Sequence, residues 1–86
     1  MDYQNFVAKS KEAVAQYTNR NAKENEPIIT PEEVYVVWYC KTLQNAKALL
    51  GTHVADGMYY ETTYNGDKNE MYFDAYKKES NVKIEF

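Results

Sequence analysis

The fold depends on how residues 30–51 are interpreted, TPEEVYVVWYCKTLQNAKALLG. Two local signals conflict in this stretch. Residues 34–40 are mostly β-branched or aromatic, which favours a strand. Thr30, Pro31 and Glu33, however, form the pattern of a helix N-terminus, in which threonine caps, proline opens the first turn and glutamate reaches back to the cap.

The second half of the stretch favours a helix. Residues 41–50 have good helix propensity, and Gly51 is typical of the residue that follows a helix. Start and stop signals at the two ends therefore predict one helix over 31–50. Its first half is apolar on nearly every side, which predicts a central helix packed between another helix and a sheet.

An amphipathic helix is predicted for residues 3–20. Apolar side chains recur there at spacings of three and four, with Ser10 small enough to share their stripe. They are Tyr3, Phe6, Val7, Ala13, Val14 and Tyr17. The polar segment 21–27, which ends in a proline, predicts a connector after this helix.

The C-terminal part predicts an antiparallel meander. Strand-like segments cover residues 58–64, 70–77 and 81–86, and Asn65-Gly66 is typical of a two-residue hairpin turn. This turn would pair Tyr60 with Met71. A four-residue loop would change the partners but keep the same side chains on each face.

The alternation then assigns the two faces of the sheet. The side facing the helices takes Met58, Tyr60, Met71, Phe73, Ala75, Val82, Ile84 and Phe86. The opposite side takes Tyr59, Glu61, Thr63, Tyr72, Asp74, Tyr76, Lys83 and Glu85. The sequence thus predicts a single α+β domain over 1–86, in which two helices pack on one face of a three-stranded antiparallel meander in the order ααβββ.

Composition narrows the classes of function. The chain has 86 residues, of which 44% are hydrophobic and 27% charged, as in an ordinary small globular domain. Ten basic and thirteen acidic residues give a net charge of −3, and the whole excess lies in residues 52–86. This balance argues against nucleic acid as a partner and favours proteins with basic surfaces.

Few residues suggest catalysis or ligation. His53 is the only histidine and Cys40 the only cysteine, and the sequence has no glycine-rich phosphate loop. We expect a loop histidine, a buried helical cysteine, no catalytic residues, no metal and no cofactor, and hence a protein that is not an enzyme. One cysteine and no signal peptide favour the cytoplasm, and the longest apolar run, 34–40, is too short to span a membrane.

Exposed tyrosines provide the candidate binding site. Two helices cannot cover both faces of a sheet, so the far side is expected to be partly wet. Tyrosines interleaved with acids, Tyr59, Glu61, Tyr72, Asp74 and Tyr76, are predicted there, with Tyr59 and Tyr72 as cross-strand partners. Such a surface is typical of a protein interface, although cross-strand tyrosines also stabilise a merely solvated sheet.

Residues 34–45, 56–61, 64–70 and 72–78 are distinctive as text, and they lie within residues 33–78, about half of the sequence. These four stretches resemble a family of small uncharacterised proteins carried by phages and prophages of Gram-positive bacteria. The family has no assigned activity, so the resemblance supplies no catalytic residues. It implies a phage accessory protein acting in the cytoplasm of a bacterial host.

Three hypotheses for the function remain open. The first is a non-enzymatic accessory protein that binds a host or phage protein, with inhibition of a bacterial defence system as one outcome. The second is an oligomeric sponge for a nucleotide signal, in which tyrosines stack on a base and Lys77, Lys78 and Lys83 contact phosphates. The third is a structural, self-associating accessory protein, since an exposed edge strand can pair with another copy.

Overall fold

A computed structural model describes all 86 residues of the chain. It contains one α-helix, one short 3₁₀ turn and four strands, in the order α1 (Tyr3–Arg20), η1 (Pro31–Glu33), β1 (Tyr35–Thr42), β2 (Asn45–Gly51), β3 (Met58–Asn65) and β4 (Glu70–Lys77). The strands form one antiparallel sheet in the order β1-β2-β3-β4. The prediction of two helices on a three-stranded meander is therefore wrong, because one helix packs on a four-stranded sheet.

The first helix matches its sequence prediction, residues 3–20. The backbone N–H of Asn5 donates to the Asp2 carboxylate at 2.8 Å, which caps the N-terminus. Farther along, Asn19 exchanges two hydrogen bonds of 2.9 Å with the backbone of Ile29. These bonds hold the connector against the end of α1, so that the chain enters the sheet from a fixed point.

The predicted central helix over 31–50 does not form. The capping signal itself is genuine, because the N–H of Thr30 donates to the Glu33 carboxylate at 2.7 Å, but it produces only the single turn η1. Val34 already has an extended backbone and is buried. The β-branched and aromatic residues that follow it pair with 45–51, and this long-range pairing overrides the helix propensity of the second half.

A two-residue loop, Leu43–Gln44, joins β1 to β2. Leu43 has a φ of 55°, as the first loop residue of a type II′ hairpin does, and its side chain is exposed. The register of β1 and β2 shifts between Val36 and Trp38, which is a β-bulge. Gly51 ends β2 beside the ring of Tyr35 and does not end a helix.

The hairpin of β3 and β4 has a longer turn than predicted. Residues 66–69 form its loop, so Tyr60 pairs with Ala75 and Tyr64 pairs with Met71. The two-residue turn and the pairing of Tyr60 with Met71 are therefore wrong. The inner and outer assignments of β3 and β4 are preserved, because both loop lengths keep the same parity.

The predicted third strand over 81–86 is also absent. Residues 78–86 have no regular structure and are exposed. Val82, Ile84 and Phe86 therefore do not contribute to the core. We call residues 81–86 the tail.

The core lies between α1 and the side of the sheet that it covers, which we call the inner face. Its buried hydrophobic side chains are Phe6, Val14, Ala15, Val34, Ala46, Ala48, Leu50, Tyr60 and Tyr64. Polar groups within this layer are paired: Ser10 and Thr62 hydroxyls lie 2.8 Å apart, and Thr18 and Tyr60 hydroxyls 3.2 Å. With α1 on this side, the opposite side of the sheet has no covering layer.

Candidate functional site

The uncovered side of the sheet, which we call the outer face, carries most of the exposed aromatic side chains. Alternation along each strand places there the residues Tyr35, Trp38 and Cys40 of β1, Lys47 and Leu49 of β2, Tyr59, Glu61 and Thr63 of β3, and Glu70, Tyr72, Asp74 and Tyr76 of β4. All five candidate residues inferred from the sequence lie on this face. Its five large rings, Tyr35, Trp38, Tyr59, Tyr72 and Tyr76, are each 38–54% exposed.

Strand pairing positions the tyrosines differently from the expectation. Tyr59 pairs with Tyr76, and Tyr72 pairs with Thr63, so the predicted partnership of Tyr59 with Tyr72 is wrong. The rings of Tyr59 and Tyr76 stack with centroids 5.1 Å apart and planes inclined by 13°. Stacking restrains both rings before anything binds, which lowers the conformational entropy that a complex must lose.

Acidic groups surround the rings. Lys47 is the lysine on this face, and its ammonium lies 3.3 Å from the Glu61 carboxylate. Glu70 accepts a hydrogen bond from the Tyr72 hydroxyl, and Asp74 lies in the strand between Tyr72 and Tyr76. Three carboxylates against one ammonium leave the outer face negative.

The negative field acts on the tyrosines themselves. The hydrogen bond and negative charge of Glu70 raise the pKa of Tyr72 above its usual value. The charge of Asp74, and then that of Glu61, raises the pKa of Tyr76. Both phenols therefore stay neutral hydrogen-bond donors to a higher pH than an ordinary tyrosine does.

Removing either carboxylate should reverse the corresponding shift. Glu70→Gln is expected to lower the pKa of Tyr72, and Asp74→Asn that of Tyr76, toward the ordinary tyrosine value, because a nearby negative charge disfavours the phenolate. Following the tyrosine ring signals by NMR through an alkaline titration measures both. Glu79→Gln in the exposed segment after β4 is the control and should move neither, whereas unchanged pKa values in the first two variants would refute the electrostatic description.

A shallow depression of about 380 Å³ adjoins the aromatic rings on β1 and β2. Its walls include Trp38, Cys40, Lys47 and Thr63. Sequence interpretation missed Trp38 because it placed this residue in a helix. The strand propensity of residues 34–40 was the available signal, but the bulge at Val37 breaks the simple alternation that would have assigned Trp38 to a face.

The two side chains considered for chemistry, Cys40 and His53, do not form a common site. Cys40 is exposed on β1, so its interpretation as a buried helical residue is wrong. His53 follows β2, and its ring lies 5.5 Å from that of Tyr35. No three His, Cys, Asp or Glu side chains are grouped as metal ligands would be. The arrangement of the outer face is thus suited to recognising a partner by stacking, hydrogen bonding and negative charge.

The lysines of the nucleotide hypothesis do not gather around the rings. Lys77 ends β4 on the inner-face parity, and Lys78 begins the irregular segment. Lys83 lies in the tail, with its ammonium 3.0 Å from the Glu85 carboxylate. Lys47 is therefore the cation that adjoins the aromatic side chains.

Comparison with known proteins gives one match. A family of unknown function (DUF6275) matches residues 7–86, which include the sheet and the tail. No curated protein and no solved structure matches the chain. No helix combines the length and the apolar character that a membrane span requires.

Proposed function

We propose that this protein, which belongs to a family of unknown function, binds another protein through the outer face of its sheet. The observation that carries the proposal is the combination of five exposed rings with carboxylates on a face that no other element covers. Tyrosine and tryptophan are the residues that most often dominate protein interfaces, since they bury large areas with few torsions to order. Exposed contiguous aromatic surface is also costly to leave in water.

The partner is proposed to present arginine or lysine side chains to this face. A guanidinium group can stack on an aromatic ring while it donates to a neighbouring carboxylate. Asp74 and Glu70 lie next to Tyr72 and Tyr76 in β4, where both contacts are available together. Opposite charge would also accelerate the encounter and make it sensitive to salt.

The biological setting belongs to the same proposal. The resemblance to phage and prophage proteins supports an accessory role in the cytoplasm of a bacterial host, and the single cysteine suits that compartment. In this setting the partner is a host or phage protein. Inhibition of a defence system is the outcome that we propose when the partner belongs to the host.

Nucleotide binding is less well supported by the same surface. Lys47 is already paired with Glu61, and the carboxylates around the tyrosines would repel phosphate groups. A nucleotide sponge would show a higher melting temperature with its ligand by mass action. A thermal-shift screen with cyclic and linear nucleotides therefore distinguishes this alternative from protein binding.

Loss of the tyrosines should abolish capture of the partner. Tyr72→Ala/Tyr76→Ala is expected to reduce recovery of the specific partner from a Gram-positive lysate by about tenfold or more, because truncated aromatic hot spots cost at least 1–2 kcal/mol each. The matched control is Tyr3→Ala, which removes an exposed tyrosine from the helix layer. Equal recovery with the double variant and wild type would remove the outer face from the proposal.

A further inference from the structure

Two elements of the fold lack a partner: the free edge of β4 and the tail. β4 pairs with β3 on one side, and its other edge is open over eight residues. It contains no proline, glycine or bulge, and its inner-face residues Met71, Phe73 and Ala75 are only half-buried. An open, regular edge of this kind is a template for another strand.

The other edge of the sheet is different. β1 carries the bulge between Val36 and Trp38, which interrupts its hydrogen-bonding edge. Lys41 of β1 pairs with the inner-face residue Ala46. Lys41 therefore occupies an inner-face position, which puts a charge on that side of the edge strand. Bulges and inward-pointing charges are common protections of edge strands. β4 has no bulge, and its one charge on the inner-face parity, Lys77, stands at its last position, so residues 70–76 of its edge are unprotected.

The tail has the alternating sequence of a strand, but it is not paired with any other strand. Val82, Ile84 and Phe86 alternate with Lys83 and Glu85, and all three apolar side chains are at least 73% exposed. As an extended strand the tail would present one apolar face and one charged face. The apolar face matches the half-buried inner row of β4.

The chain does not turn back toward this edge directly after β4. The N–H of Lys78 donates to the carbonyl of Gly57 at 2.7 Å, which continues β4 alongside β3 instead of reversing it. Consider a second copy related to the first by a two-fold axis perpendicular to the sheet. This axis makes the two β4 strands antiparallel, so a tail that continues straight from one β4 runs antiparallel to the β4 of the other copy. The two tails would then lie on the two free edges, and the irregular residues 78–80 would shift the alternation by one position.

We propose that the tail pairs with the β4 edge of a second copy, forming a symmetric dimer by strand exchange. Charge selects the register, since Lys83 opposite Asp74 is attractive whereas Glu85 opposite Asp74 is repulsive. The attractive register sets Val82 against Ala75, Ile84 against Phe73, and Phe86 against Met71. Closed two-fold pairing also uses both copies of each element, so no β4 edge is left to propagate a fibre.

Sedimentation or light scattering of the full chain tests the dimer. Wild type is expected to be dimeric, and Ile84→Lys should raise the dissociation constant by about a hundredfold or more, because each dimer buries this side chain twice. Ile28→Lys is the matched control, since Ile28 is equally exposed in the segment between α1 and η1, and it should stay dimeric. Circular dichroism should show both variants folded, because neither side chain belongs to the core.

A charge exchange tests the register independently. Lys83→Asp should weaken the dimer, and the double variant Lys83→Asp/Asp74→Lys should restore it. A monomeric wild type, or a dimer that survives Ile84→Lys, would overturn the proposal. The inference does not depend on the proposed function, since a monomeric Ile84→Lys that still captures the partner would separate the two.

Discussion

Replacing Tyr60 with alanine is expected to lower the free energy of unfolding by about 3–5 kcal/mol, the usual loss for a buried ring. Tyr60 is 1% exposed and lies between α1 and the sheet. Its ring contacts those of Tyr17 and Phe73, with centroids 5.8 and 5.7 Å away, and its hydroxyl bonds Thr18. The substitution leaves a ring-sized cavity and an unpaired Thr18 hydroxyl in a small domain with little stability to spare.

The preceding residue provides the matched control. Tyr59 is the same amino acid in the same strand, but it lies on the outer face. Tyr59→Ala loses its stacking with Tyr76 and is expected to cost about 1 kcal/mol or less. Urea unfolding followed by circular dichroism measures both variants. A larger loss for Tyr59→Ala than for Tyr60→Ala would mean that the two faces of the sheet have been interchanged.

Gly66→Ala is expected to destabilise the protein by about 2–3 kcal/mol through overpacking. The tips of the two hairpins meet here, because the N–H of Gly66 donates to the Asn45 side chain at 3.0 Å. A Cβ atom on residue 66 would lie 2.1 Å from the backbone oxygen of Gln44. Backbone cannot rotate out of the way as a side-chain end can, so the hairpins must separate locally.

Gly51→Ala is the control for this substitution. Its Cβ would lie 2.8 Å from the hydroxyl oxygen of Tyr35, at the end of an exposed side chain that can rotate aside. We expect a loss of about 1 kcal/mol or less. Chemical denaturation of both variants gives the comparison, and equal losses would contradict the close contact of the hairpin tips.

Sequence reasoning predicted the first helix because its signal is local. The stripe through Phe6, Ser10 and Val14 repeats with the helical period, and the same three side chains are buried in the structure. The parity of β3 and β4 was equally predictable, since a period of two assigns faces without knowledge of the turn. This parity is also why the tyrosines and acids of the candidate site could be grouped correctly.

Residues 31–50 could not be assigned from local signals. The capping pattern at Thr30 and Glu33 does not specify how many turns follow it. Ala46 and Ala48 favour a helix in isolation, yet in β2 their small side chains lie buried beneath α1. What decides between the two outcomes is pairing between β1 and β2, and between β2 and β3, and such long-range contacts outweigh propensity.

The predictions of a two-residue turn at Asn65-Gly66 and of a strand over 81–86 were wrong for related reasons. Asn65-Gly66 satisfies a two-residue turn locally, but Gly66 instead packs against Gln44 of the other hairpin, which the predicted fold did not contain. The Tyr64 hydroxyl also bonds Asn69 at 2.7 Å and fixes the longer loop. For the tail, alternation indicates a strand, but a strand forms only where an edge is available to it, and residues 81–86 pair with no strand of their own chain.

Binding of the partner to the outer face can be tested with one fluorine label. Trp38 is the only tryptophan of the chain and lies on this face, so 5-fluorotryptophan labelling gives a single ¹⁹F resonance. The partner captured by wild type is purified without label and titrated into the labelled protein. We predict that the resonance shifts to saturation as the complex forms and that Tyr72→Ala/Tyr76→Ala loses this response. A complex that forms fully, as measured by sedimentation, while the Trp38 resonance stays unchanged would show that the partner binds elsewhere than on the outer face.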